Sequence, residues 1–128
     1  MRLSVRLAKE TIDGISELKQ NLENESTYSG LRITNGFVVG IAYEETKDFA
    51  NDTWGEVIRT KRIPKNNVDK KSLEIKTNLV LSQDVVDGIN ELKKILPNYL
   101  PEVSYVTTSY VIRVMVRAAL LKRERKIG

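Results

Sequence analysis

The stretch Lys76-Thr77-Asn78-Leu79-Val80-Leu81-Ser82, running on into Gln83-Asp84-Val85-Val86-Asp87-Gly88-Ile89-Asn90-Glu91-Leu92-Lys93, decides how this chain is read. Thr77, Leu79 and Leu81 alternate with Lys76, Asn78 and Val80, the period of two expected of a strand with one buried and one outward face. Ser82 then has the chemistry of a helix N-cap. Asp84 falls in the first turn, and Val85, Val86, Ile89, Leu92 and Leu96 recur at helical spacing. The same text stands earlier in the chain. Arg2 to Leu22 aligns without gaps on Lys76 to Leu96 with 8 of 21 residues identical, and Asp13 to Lys19 matches Asp87 to Lys93 everywhere except Ser16 against Asn90. The chain reads as a tandem repeat.

In the first copy, Met1 to Ala8 is the strand, with Leu3, Val5 and Leu7 on one face and Arg2, Ser4 and Arg6 on the other. Lys9 to about Leu22 is the helix, its buried stripe formed by Ile12, Ile15, Leu18 and Leu22. Gly14 and Gly88 fall inside the two helices at equivalent positions, where each costs about 1 kcal/mol against alanine. Their recurrence points either to close packing against another backbone or to inheritance from one duplicated ancestor. Asn24 to Leu31 is polar and contains Ser-Gly, a loop. Thr34-Asn35-Gly36 then offers cap residues ahead of Phe37, Val38, Ile41 and Ala42, a second helix.

The second copy continues in the same way. Pro97 and Pro101 bracket the loop, and Thr107-Thr108-Ser109 takes the place of Thr34-Asn35-Gly36, followed by Tyr110, Val111, Val114, Met115 and Ala118. Its β-branched content makes a strand from Tyr105 to Val116 the rival reading. The helix-favouring run Arg117 to Arg123, whose basic end suits the negative pole of a helix dipole, favours helix. The expected organisation is repeat one over 1–45, a connector over 46–72, and repeat two over 73–128, the repeats forming one folded unit. The connector has an apolar half with Phe49, Trp54, Val57 and Ile58, and a basic, exposed half from Arg59 to Lys71. Trp54 either anchors the connector on the core or meets a ligand.

Composition narrows the function. With no Cys and no His among 128 residues, disulfides, zinc fingers, thiol nucleophiles and every histidine-dependent acid–base arrangement are absent. No phosphate loop is visible, and the one tempting carboxylate pair, Asp13 and Asp87, is equally read as solvent-facing, so neither catalysis nor a cofactor is expected. No apolar run approaches the ~20 residues needed to span a bilayer, and Arg2, Ser4 and Arg6 interrupt any signal-peptide pattern, so a cytoplasmic protein without membrane attachment is expected. Residues 1–58 hold 6 Lys/Arg against 10 Asp/Glu, a net −4; residues 59–128 hold 15 against 7, a net +8. A basic half favours a polyanionic partner.

One strand and two short helices cannot stand alone, because the strand's backbone groups go unpaired and too little apolar surface is buried. The other copy is the obvious partner. Pairing 3–7 with 77–81 about a pseudo-two-fold axis is antiparallel and sets Ser4 opposite Asn78, Arg2 opposite Val80 and Arg6 opposite Lys76.

Strand, helix, loop and capped second helix, with Leu79-Val80-Leu81-Ser82-Gln83-Asp84-Val85-Val86, resemble the ribbon-helix-helix DNA-binding proteins, the group of the Arc, MetJ and CopG repressors. The resemblance covers about 90 residues in two copies and leaves the connector out. Duplication in one chain is similar to TraY-type relaxosome accessory proteins of conjugative plasmids. The resemblance implies a mainly α fold with a two-stranded antiparallel ribbon, a tandem ribbon-helix-helix pseudo-dimer. It implies sequence-specific binding of double-stranded DNA, with Arg2, Ser4, Arg6, Lys76, Asn78 and Val80 reading bases in the major groove. The residue types suit the task by themselves: Arg and Lys reach guanine, Asn reaches adenine, and Val can touch a thymine methyl. It further implies phosphate contacts at the second helices' N-termini, at Thr34, Asn35, Thr107 and Thr108. The basic connector and the tail from Lys122 to Lys126 would add phosphate contacts. Because the two strands differ, two unlike half-sites are expected. Transcriptional repression and assistance to a relaxase both use such a module. Most family members dimerise from single copies, so a monomeric pseudo-dimer and a chain-swapped homodimer, with further assembly on DNA, stay open. An alternative of another class is a protein-interaction module, such as an antitoxin gripping its partner through the apolar connector.

Overall fold

Alternating side chains make two strand segments that need each other's backbone groups. In the computed structural model, which describes residues 1–64 and 74–127, strand β1 (Arg2–Ala8) pairs antiparallel with strand β2 (Glu74–Val80) as a two-stranded sheet. The register runs from Arg2 opposite Val80 through Ser4 opposite Asn78 to Ala8 opposite Glu74. The Leu81 amide donates to the Met1 carbonyl at 2.8 Å and extends the ladder by one residue.

The remainder is mainly helical. Helix α1 (Lys9–Glu23) follows β1 without a break, then come a 3-10 turn at Ser26–Tyr28, α2 (Asn35–Thr46) and α3 (Asn51–Arg59). After β2 come α4 (Gln83–Ile95), a 3-10 turn at Leu96–Tyr99, and α5 (Thr108–Arg123). The segment in dispute between strand and helix is therefore helix, and its buried run from Val111 to Leu121 is the centre of the core. Helix α5 lies against α1, α2, α3, α4 and β1. The second helix of each copy lies on the other copy's strand, α5 on β1 and α2 on β2. Beneath the ribbon, Leu7 and Leu79 are fully buried among Ile15, Leu18, Val38, Ile89 and Met115.

The recurring glycines admit side chains rather than backbone. A Cβ on Gly14 would lie 2.9 Å from Cγ1 of Val116, and one on Gly88 would collide with the ring of Tyr43. Tyr43 and Val116 are themselves equivalent in the repeat, so each copy's second helix drops a side chain onto the other copy's glycine.

The apolar half of the connector becomes α3. Trp54 (3% exposed) and Val57 join the core, and Phe49 packs on Trp54 at 5.3 Å between ring centroids. Trp54 anchors the connector. Among the described residues no helix is long and apolar enough to cross a membrane.

Candidate nucleic-acid interface

The strand alternation puts one set of side chains outside. Arg2, Ser4 and Arg6 on β1 and Lys76, Asn78 and Val80 on β2 are all exposed, on the face away from Leu7 and Leu79. All six share one surface, in three cross-strand pairs. Arg2, Arg6 and Lys76 have no ion-pair partner among the described residues.

The second helices start as their sequences dictate. Oγ1 of Thr34 accepts from the Phe37 amide and Oγ1 of Thr107 from the Tyr110 amide, both at 3.1 Å. Before each cap stands a buried residue, Ile33 or Val106, and Val38 and Val111 are buried four positions into the helices, the positions of a hydrophobic staple. Asn35 and Thr108 occupy the first helical positions, Asn35 exposed and Thr108 half-buried. The hydroxyls of Thr34 and Thr107 act in these caps as acceptors, and Thr34, Asn35 and Thr107 keep their surfaces open. At the start of α4 Ser82 caps the Val85 amide at 3.4 Å; α1 has Ala8 there and no side-chain cap.

Two exposed side chains beside these N-termini escaped the sequence reading. Arg32 and Tyr105 occupy equivalent places two residues ahead of the capping threonines, and Tyr105 is 74% exposed. The signal was the offset of the repeat, which aligns them as it aligns Thr34 with Thr107.

Several other basic residues are engaged elsewhere. Arg62, within the half of the connector expected to be exposed, buries its side chain between Glu17 and Glu124, with Nε 2.9 Å from Oε1 of Glu124. Burial works against its charge, but hydrogen bonds to Glu124 and Glu17 prevail and raise its pKa. The rest of the expected basic stretch, from residue 65 on, lies outside the described residues. Arg113 and Arg117 close on Glu10 at 2.8 and 2.9 Å, and Arg117 also donates to the carbonyls of Val57 and Ile58 at the end of α3. In the expected basic tail, Arg123 bridges Glu45 and Glu25, Lys122 donates to the Glu45 carbonyl, and Lys126 reaches Glu124. Except for Lys126, these cations tie α5, α3 and the connector to one another or to the first repeat. Arg62, Arg113, Arg117 and Arg123 are thus taken up by carboxylates, whereas Lys122, Arg125 and Lys126 of the tail keep exposed side chains.

Asp13 is a correction as well. It is 6% exposed and ion-paired to Lys9 at 2.6 Å, whereas its counterpart Asp87 is exposed and accepts from Gln83. The two lie in different surroundings and form no carboxylate pair facing solvent. Among the described residues no cluster of His, Cys, Asp or Glu is arranged to hold a metal ion.

Comparison with family models, curated proteins and solved structures yielded no match.

Proposed function

We propose that the chain is a tandem ribbon-helix-helix protein whose two repeats fold on each other as a pseudo-dimer, and that it binds double-stranded DNA sequence-specifically through the β1–β2 ribbon. The ribbon enters the major groove, where Arg2, Ser4, Arg6, Lys76, Asn78 and Val80 meet base edges. The starts of α2 and α5, at Thr34, Asn35, Thr107 and Thr108, face the phosphates through free backbone amides. The protein is a cytoplasmic DNA-binding factor without catalysis or cofactor. It serves as a transcriptional repressor or as an accessory to a relaxase.

One observation carries this reading: among the described residues Arg2, Arg6 and Lys76 stay exposed and without an ion-pair partner, gathered on one face of the ribbon, whereas Arg62, Arg113, Arg117 and Arg123 are engaged by carboxylates. Partner binding through the connector loses its support, because Trp54 and Val57 are buried and Phe49 and Ile58 pack against the core.

The test is selection from randomised duplexes with the purified chain at two salt concentrations. A defined site with salt-sensitive affinity is expected. Arg6→Ala should cost about 1–3 kcal/mol and blur one base position. Failure to enrich any sequence, with binding no stronger than to bulk DNA, would refute the proposal.

A further inference from the structure

The two ends of the ribbon are chemically unlike. Ser4 faces Asn78, its own counterpart in the repeat, with Arg6 opposite Lys76 on one side and Arg2 opposite Val80 on the other. One end presents two cations. The other presents a single cation beside a valine that is 65% exposed. In the repeat alignment Val80 stands where the first strand has Arg6, so this end has a branched alkyl group in place of a guanidinium. Its surroundings are mostly apolar too, since Val80 borders a shallow groove of about 240 Å3 lined by Phe37, Ile41 and Val85, with Glu44 and Ser82 as its polar members. The backbone there is braced: a Cβ on Gly36, in the first turn of α2, would collide with the Val80 carbonyl oxygen. An alkyl group held out on a firm backbone is suited to contact another apolar group.

We infer that the ribbon reads a directional DNA site, with a guanine in the half under Arg6 and Lys76, and in the other half a thymine whose 5-methyl group packs on Val80. This rests on the major-groove reading above. Guanine shows two acceptors, N7 and O6, to the major groove, and the thymine methyl is the groove's apolar feature. Turning the protein end for end would set Val80 over two unanswered acceptors and Arg6 against a methyl, so one orientation on the duplex is preferred.

The experiment uses the full chain and the duplex it selects. Each thymine is replaced in turn by deoxyuridine, which lacks only the 5-methyl group, and each guanine by 7-deazaguanine, which lacks the N7 acceptor. In one half-site a single thymine replacement is expected to weaken binding about fourfold, the worth of one buried methyl, and Val80→Ala should abolish that sensitivity. In the other half-site a guanine replacement should weaken binding about tenfold, an effect lost in Arg6→Ala. Val80→Arg combined with Asn78→Ser makes the second outer face resemble the first, and reselection should then return a near-palindrome. Selective binding without a methyl-sensitive thymine, or with both sensitivities in one half, or with a uracil effect unchanged by Val80→Ala, overturns the inference and leaves the DNA-binding reading standing. Absence of selective binding overturns both.

Discussion

Thr11 offers a test of the packing with an unusual sign, because replacing it should stabilise the protein. It is 1% exposed in the first turn of α1, and among the described residues its hydroxyl is the one buried side-chain polar atom without a hydrogen-bond partner. A buried, unanswered hydroxyl costs about 1–3 kcal/mol. Valine has nearly the same shape and puts a methyl where the hydroxyl stands. Repeat two already carries that solution, with Val85, 4% exposed, at the equivalent position of α4. Thr11→Val is therefore expected to add about 1.5 kcal/mol. For a chain of 128 residues this raises Tm by roughly 5 °C, and with a urea slope near 2 kcal/mol/M the midpoint moves up by roughly 0.7 M. Thr11→Ser, which keeps the hydroxyl and removes the methyl, should lower stability by about 1 kcal/mol. Equilibrium urea unfolding followed by far-UV circular dichroism measures both. An unchanged or lowered midpoint for Thr11→Val, at unchanged slope, would refute the reasoning.

Three further outcomes are expected. Gly36→Ala forces a Cβ onto the Val80 backbone, which cannot swing away as a side chain can, so it should cost about 1–3 kcal/mol in thermal or urea unfolding. A neutral result would show that α2 does not brace the ribbon. Arg62→Ala leaves Glu17 and Glu124 facing each other without their shared cation and should cost about 3 kcal/mol, with Glu17→Gln in the same chain recovering part of it in a double-mutant cycle. For Glu10, burial works against the ionised form, but hydrogen bonds and charge from Arg117 and Arg113 outweigh it and hold the carboxyl below its ordinary value of 4.5. Its contribution is therefore present above that pH and lost as pH falls through the lowered folded-state value, so Glu10→Gln should lose less Tm than the parent between about pH 5 and pH 3; parallel curves would exclude this.

What the sequence disclosed was whatever depends on local periodicity and on the repeat. The alternation of Leu3, Val5 and Leu7 marked β1's inner face, and Ser82, Thr34 and Thr107 announced three helix starts. Aligning the copies then fixed the cross-strand register, since each outward residue faces a position determined by its counterpart. What stayed hidden depends on neighbours from elsewhere in the chain. Asp13-Gly14-Ile15 and Asp87-Gly88-Ile89 are the same text, yet α1's acidic face is covered and α4's is bare. Arg62 closes on Glu17 and Arg113 and Arg117 on Glu10 of α1, whereas α2 has Gly40 and Glu44 where α5 has Arg113 and Arg117. Arg62 itself reads as a solvated connector cation, because nothing nearby in sequence signals that Glu17 and Glu124, 45 and 62 residues away, will converge on it. Of the candidate site, the face and its six residues were legible; Arg32 and Tyr105 were passed over because they sit in loops without periodicity.

The ribbon joins residues at least 66 positions apart, from Ala8 with Glu74 to Arg2 with Val80. Closing a loop of that size costs roughly 4 kcal/mol of chain entropy before any ladder bond forms, so β1 is a late partner in folding although it is made early. At about 5–20 residues per second on the ribosome, the first strand waits roughly 3–13 s with its edge unmatched. A bare edge of alternating Leu, Val and Leu invites pairing with a neighbouring chain, and charged side chains are a common deterrent. Arg2 and Arg6, set outward on the finished ribbon, place two such charges on that strand.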